Sequence, residues 1–109
     1  DRSNQKVNLQ SHAPWTPLAT AFAPVSPNPS KGTSTLSFQL GRTGPTELAV
    51  FSVDGRRVRT LLNGVRGVGS YRAIWDGTDD AGRAVRPGLF FARLVTIEGR
   101  FSRTMVRVK

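Results

Sequence analysis

Trp75-Asp76-Gly77-Thr78-Asp79-Asp80-Ala81-Gly82-Arg83-Ala84-Val85-Arg86-Pro87-Gly88, continuing into Leu89-Phe90-Phe91-Ala92-Arg93-Leu94, decides how the chain is read. An alternating segment ends in a large aromatic, a connection dense in Asp and Gly follows, and a second segment opens with two more aromatics. That order predicts a β-hairpin with a long loop. Its rings would supply the largest block of buried area in a small domain. The segments before it then close over that block, and the last strand pairs beside it.

Working backwards, Leu36, Phe38 and Leu40 alternate with Thr35, Ser37 and Gln39, the period of a half-buried strand. A turn over 41–45 leads to a strand over 46–53, with Leu48 and Val50 on one face and Ala49, Phe51 and Val53 on the other. Apolar residues on both faces predict a central position in a sheet. Asp54-Gly55 predicts a type I′ hairpin turn, whose central residues need positive φ. The returning strand covers 56–62 with Val58 and Leu62 inward, and Asn63-Gly64 carries the chemistry of another turn. Tyr71, Ala73 and Trp75 then alternate with Arg72, Ile74 and Asp76.

Forward of the opening stretch, Phe90, Ala92, Leu94 and Thr96 form one strand face and Leu89, Phe91, Arg93, Val95 and Ile97 the other. Glu98-Gly99 turns the chain into a final strand over 101–108. No apolar stripe of helical period occurs. Short strands at regular spacing with Gly-bearing turns predict an all-β, immunoglobulin-like β-sandwich of about seven strands. Its expected core is Leu36, Phe38, Leu48, Val50, Val58, Tyr71, Trp75, Phe90 and Leu94.

The first 27 residues are written differently. Residues 1–13 are mostly polar, and Pro14, Pro17, Pro24 and Pro27 follow at close spacing. Proline removes backbone donors and disfavours helix, so residues 1–27 read as an extended arm or linker and residues 28–109 as the folded domain. Trp15, Leu18 and Phe22 on that arm either cover the domain's own edge or dock on a preceding domain or another copy of the chain.

At 109 residues the chain is one domain's worth. It has no cysteine, so neither disulfides nor thiolate metal sites are available. No stretch approaches the roughly 20 apolar residues of a membrane-spanning helix. The start at Asp1, without a signal peptide, suggests a processed protein or an excised fragment. Sixteen Lys and Arg against seven Asp and Glu give a formal net charge of +9. Such an excess raises nucleic acid, anionic glycan or a negative membrane as partners. The arginines are nevertheless scattered at turns and alternate strand positions, the pattern of a solvated sheet face rather than of a specific nucleic-acid site.

Catalytic chemistry finds little to work with. His12 stands alone on the polar arm. Asp76, Asp79 and Asp80 fall within five residues and form a weak Ca²⁺ candidate, without the alternating acidic ligands and closing glutamate of a calcium loop. The competing reading is that their side chains bond to backbone N–H groups in tight turns. The glycines of 64–69 precede no helix that could present amides to a phosphate. The chain is therefore expected to be neither an enzyme nor a cofactor carrier.

Several stretches together carry a resemblance. Residues 48–58, Leu61-Leu62, Gly69-Ser70-Tyr71, Trp75 to Val85 and Pro87 to Leu94 resemble the immunoglobulin-like domain of the flagellar hook-capping (FlgD-type) family and its close relative, the C-terminal sorting domain of the type IX secretion system. In outline those domains read V-Y-D-x-x-G-R-x-V, then W-D-G-x-D-x-x-G-x-x-V, then S-G-x-Y-x-Y-x-L. The matching turn positions here are Asp54, Gly55, Asp76, Gly77, Gly82 and Gly88. Asn28-Pro29-Ser30-Lys31-Gly32 with Leu36 is similar to the opening of the sorting domains, and the run Arg103 to Lys109 to their basic ending.

The resemblance implies a non-catalytic module at the C-terminus of a secreted or cell-surface bacterial protein, with Lys109 as a native end. It acts there as a sorting signal or surface anchor. Its partners would be an upstream domain of the parent protein and the outer-membrane secretion or anchoring machinery. Docking is expected on the final strand through Arg103, Met105, Val106, Arg107 and Lys109, by strand addition at an open edge plus charge pairing. Two other classes stay open. The arm could exchange between copies and build an extracellular fibre, or the positive charge could bind an anionic glycan.

Overall fold

The computed structural model describes residues 19–109. Seven strands form two antiparallel sheets, and no helix occurs among these residues. In chain order they are β1 (Ala21–Phe22), β2 (Ser34–Leu40), β3 (Gly44–Ser52), β4 (Arg57–Arg66), β5 (Gly69–Trp75), β6 (Gly88–Thr96) and β7 (Gly99–Arg107). One sheet has the order β1-β2-β5 and the other β4-β3-β6-β7. The result is a β-sandwich.

The alternation in the sequence is the alternation in space. Leu36, Phe38 and Leu40 of β2 and Leu48 and Val50 of β3 are buried, as are Phe90, Ala92 and Leu94 of β6. Val58 and Tyr71 pack against this core while partly exposed. Trp75 from one sheet meets Phe90 from the other edge-on, with ring centres 5.3 Å apart. Phe38 and Tyr71, cross-strand neighbours in the first sheet, stack at 5.3 Å. β3 lies between β4 and β6, the central place that its two apolar faces predicted.

Outward-facing Phe51 is covered from above by cations. The Arg93 and Arg57 guanidinium carbons lie 4.2 and 5.2 Å from its ring centre. Their stems shield apolar surface while the charges stay near water, which gives part of the arginine excess a structural role.

Several expectations need correction. Trp75 to Leu94 is not a hairpin, because β5 pairs with β2 whereas β6 pairs with β3 and β7. The intervening loop crosses from one sheet to the other, and the Trp75–Phe90 contact that suggested pairing is made across the core instead. Asn63-Gly64 is no turn: β4 runs through it, with Asn63 opposite Glu47 and Gly64 opposite Thr46. The segment 44–47 offers a partner ladder, and that outweighs local turn chemistry.

Asp54-Gly55 does turn the chain, but within a three-residue loop rather than a type I′ turn. The Gly55 N–H donates to Ser52 O and the Ser52 N–H to Arg56 O, both at 2.9 Å, with Gly55 at φ +85°. Val53, expected on a strand face, is 68% exposed in this loop. Finally, Phe22 and Val25 belong to the buried core, and Phe22 pairs with Phe38. The folded unit thus starts earlier than residue 28, and Phe22 is no inter-subunit residue. Trp15, Leu18 and His12 lie outside the described residues.

Candidate functional site

Three of the motif stretches fold against one another along one seam. The first is Asn28 to Gly32, which lies on the outer edge of β7. The Asn28 side chain bonds twice to that edge: Oδ1 accepts from the Val106 N–H at 2.9 Å and Nδ2 donates to Thr104 O at 3.2 Å. Ser30 continues the pairing, its N–H donating to Val106 O and its carbonyl accepting from the Val108 N–H, both at 2.9 Å. An Asn with a short parallel bridge thus satisfies the backbone groups that an edge strand would otherwise present to other chains. Pro29, which has no N–H to place, sits between the two contacts.

The second stretch begins at Trp75, which is fully buried and donates its Nε1–H to Thr78 O at 2.8 Å. Asp76 Oδ1 accepts from the Thr78 N–H at 3.1 Å and its hydroxyl at 2.5 Å. Asp79 Oδ1 accepts from the Ala81 and Arg83 N–H groups, each at 2.9 Å. Asp80 leaves the loop altogether and caps the outer edge of β4, its N–H donating to Val58 O at 2.9 Å and its Oδ1 accepting from the Thr60 N–H at 3.0 Å. Arg59 fastens the loop from the strand side, donating to Thr78 Oγ1 and Asp79 O, both at 2.9 Å.

Each carboxylate is therefore turned to its own donors. Among the described residues no group of three acidic or histidine side chains converges on a point where a metal could sit. The donors also act on acidity. The Thr78 side chain holds Asp76 below the ordinary carboxylate value, against a smaller opposing effect of desolvation. The Arg83 backbone N–H does the same for Asp79, and the Ser52 hydroxyl for Asp54.

The third element is Arg107 at the end of β7. Its side chain runs toward the core side of the strand, where Gly88 is its bare cross-strand partner. Its guanidinium carbon lies 5.1 Å from the Trp75 ring centre. Its NH1 donates to Gly32 O at 2.7 Å and its NH2 to Lys31 O at 3.3 Å. Gly77 backs the same group: its φ is +80°, and a Cβ there would sit 2.3 Å from the Arg107 NH2. Gly82, with φ +83°, closes the turn that starts at Asp79 and has open space around it.

These contacts revise the expected docking strand. Met105 is 1% exposed and is a core residue rather than a docking one. Arg103 and Arg107 share its face and bond within the chain, Arg103 Nε donating to Phe22 O at 2.9 Å while the residue stays exposed. Phe101, packed on the core with the same parity, marks that face as the inner one. Val106 and Lys109 remain exposed. The β7 edge is not open along its last third, because Asn28 and Ser30 occupy it. Sequence reasoning also missed the edge cap by Asp80 and the clamp by Arg59, for which no local pattern exists.

No protein-family model and no curated protein matches the chain. Solved structures do. FlgD from P. aeruginosa is 26% identical over 68% of this chain and 59% of its own, with a TM-score of 0.53. The dimeric latent PorU of Porphyromonas gingivalis matches 92% of this chain at 16% identity, with a TM-score of 0.61. This chain thus spans 59% of the FlgD length and 10% of the PorU length. The FlgD match comes from one of the groups that the motifs resemble. At these identities what is shared is the β-sandwich.

Proposed function

We propose that the chain is a non-catalytic module of a secreted or cell-surface bacterial protein that serves as a sorting signal or surface anchor and is recognised as a folded surface. The observation that carries this reading is the placement of Arg107, which ties the basic ending of the chain to Gly32 and Trp75. The shape of the ending is then a property of the whole sandwich. Arg103, Val106 and Lys109 are the expected docking residues whose exposure leaves them open to a receptor. The test is export of a reporter fused ahead of residues 19–109 in a bacterium with type IX machinery. Arg107→Ala, which opens the seam, should reduce export. Undiminished export of a chain unfolded by Trp75→Asp would sink the reading, because a linear tail would then suffice.

One observation favours a second reading, in which the module holds an anionic glycan. Arg56 and Arg57 from one stretch and Arg83 and Arg86 from another line one groove beside Val58 and Phe90. Arg57 and Arg83 also pair with Glu47 and Asp79. Heparin retention that falls steeply with salt, and that Arg56→Ala with Arg86→Ala abolishes, would support it. Retention unchanged in the double variant would count against it.

A further inference from the structure

The sandwich has four outer edges, and among the described residues three of them are capped along part of their length or short. Asp80 caps β4, Asn28 and Ser30 cap β7, and β1 is two residues long. The fourth edge belongs to β5. Which backbone groups it presents follows from β2. The Ala23 N–H donates to Ser37 O, and Thr35 exchanges both of its backbone bonds with Ser26, so the odd residues of β2 bond toward β1. The even residues, Ser34, Leu36, Phe38 and Leu40, then bond toward β5, where their partners are Trp75, Ala73, Tyr71 and Gly69. In an antiparallel pair this leaves Ser70, Arg72 and Ile74 with N–H and C=O groups pointing away from β2. Those groups have no partner among the described residues.

The side chains of the same three residues are exposed, Ile74 at 52%. Their cross-strand neighbours Gln39, Ser37 and Thr35 carry no charge, so no described residue on this face neutralises Arg72. We infer that β5 is a strand-addition site for an extended acidic segment of a partner protein. Backbone pairing at Ser70, Arg72 and Ile74 would supply affinity, and a carboxylate opposite Arg72 would set the choice of partner. A second copy of the chain fits less well. Two β5 strands paired antiparallel about their centre would set Arg72 against Arg72, between chains that each carry a formal +9. This edge is separate from the seam and independent of its proposed role.

Amide hydrogen exchange of the full chain, read residue by residue by NMR, tests the inference. In the free protein the Ser70, Arg72 and Ile74 amides should exchange fast while those of Tyr71 and Ala73 are protected. A synthetic peptide of alternating valine and glutamate should slow the three by about tenfold or more, and its lysine counterpart should not. Arg72→Glu should reverse the preference between the two peptides. Ile74→Pro, which removes an edge donor without touching the β2 ladder, should abolish protection at Arg72. Three outcomes would overturn the inference: no protection by the acidic peptide, equal protection by both peptides, or protection in the free chain. The last would assign the edge to the chain itself if independent of concentration, and to a second copy if it rose with concentration.

Discussion

The guanidinium of Arg107 lies 5.1 Å from the ring centre of Trp75 and bonds at the same time to the carbonyl of Gly32. The two residues sit in different sheets, 32 positions apart. A flat cation with several fixed donors can stack on an indole and fork onto carbonyls together, which a lysine ammonium cannot. Arg107→Ala should therefore lower the stability of the domain by about 2 kcal/mol, and Arg107→Lys should recover less than half of that loss. Urea unfolding followed by Trp fluorescence measures both. Full recovery by lysine would mean that charge alone matters at this position.

Gly77 and Gly82 separate two demands that glycine can meet. Both have φ near +80°, but only Gly77 is backed by the Arg107 guanidinium. Gly82→Ala should cost only the backbone strain, about 1 kcal/mol. Gly77→Ala should cost about 3 kcal/mol, the same strain plus displacement of Arg107 from its partners. In an Arg107→Ala background the two alanine substitutions should become equal in cost. A double-mutant cycle with no coupling between positions 77 and 107 would contradict the geometry.

Asn28 protects an edge as much as it stabilises a fold. Asn28→Ala should free the Val106 N–H and Thr104 carbonyl, speed exchange of the Val106 amide, and cost about 1 kcal/mol. Asn28→Asp keeps the acceptor and loses the donor, so it should retain Val106 protection. Light scattering at rising concentration should show the alanine variant associating while the aspartate variant stays monomeric. Identical behaviour of the two would mean that the bridge at Ser30 is sufficient by itself.

How much of this was legible in the sequence depends on where the deciding partner sits. Leu36, Phe38 and Leu40 could be read directly, because burial of one face imposes the period itself. Asn63-Gly64 was misread because turn chemistry is local, whereas the ladder that overrides it comes from Gly44 to Glu47. The pairing of β5 and β6 was misread for a related reason: Trp75 and Phe90 do meet, but sequence order cannot say whether within a sheet or across the core. On β7, Thr104, Val106 and Val108 make the outer face look as apolar as the inner one. Phe101, sharing parity with Met105 and Arg107, was the available signal. The carboxylate roles of Asp76 and Asp79 were legible as turn chemistry, whereas Asp80 reaches a strand 20 residues away.

Acid should weaken the loop that holds Trp75. The Thr78 side chain lowers the pKa of Asp76, and the Arg83 backbone N–H lowers that of Asp79, from an ordinary value of 3.8. A carboxylate whose pKa is lower in the folded than in the unfolded chain binds fewer protons when folded. Its contribution is therefore fully present above the unfolded value and lost as pH falls through the folded one. Stability should be flat from neutral pH to about pH 5 and decline below about pH 4. Asp79→Asn should start less stable and decline less steeply, since its amide cannot titrate. Thr78→Val removes the hydroxyl donor, so NMR titration should show the pKa of Asp76 rising toward its ordinary value. If that pKa does not move, the Thr78 hydroxyl is not what holds Asp76 ionised, and the acid sensitivity of the loop must come from elsewhere.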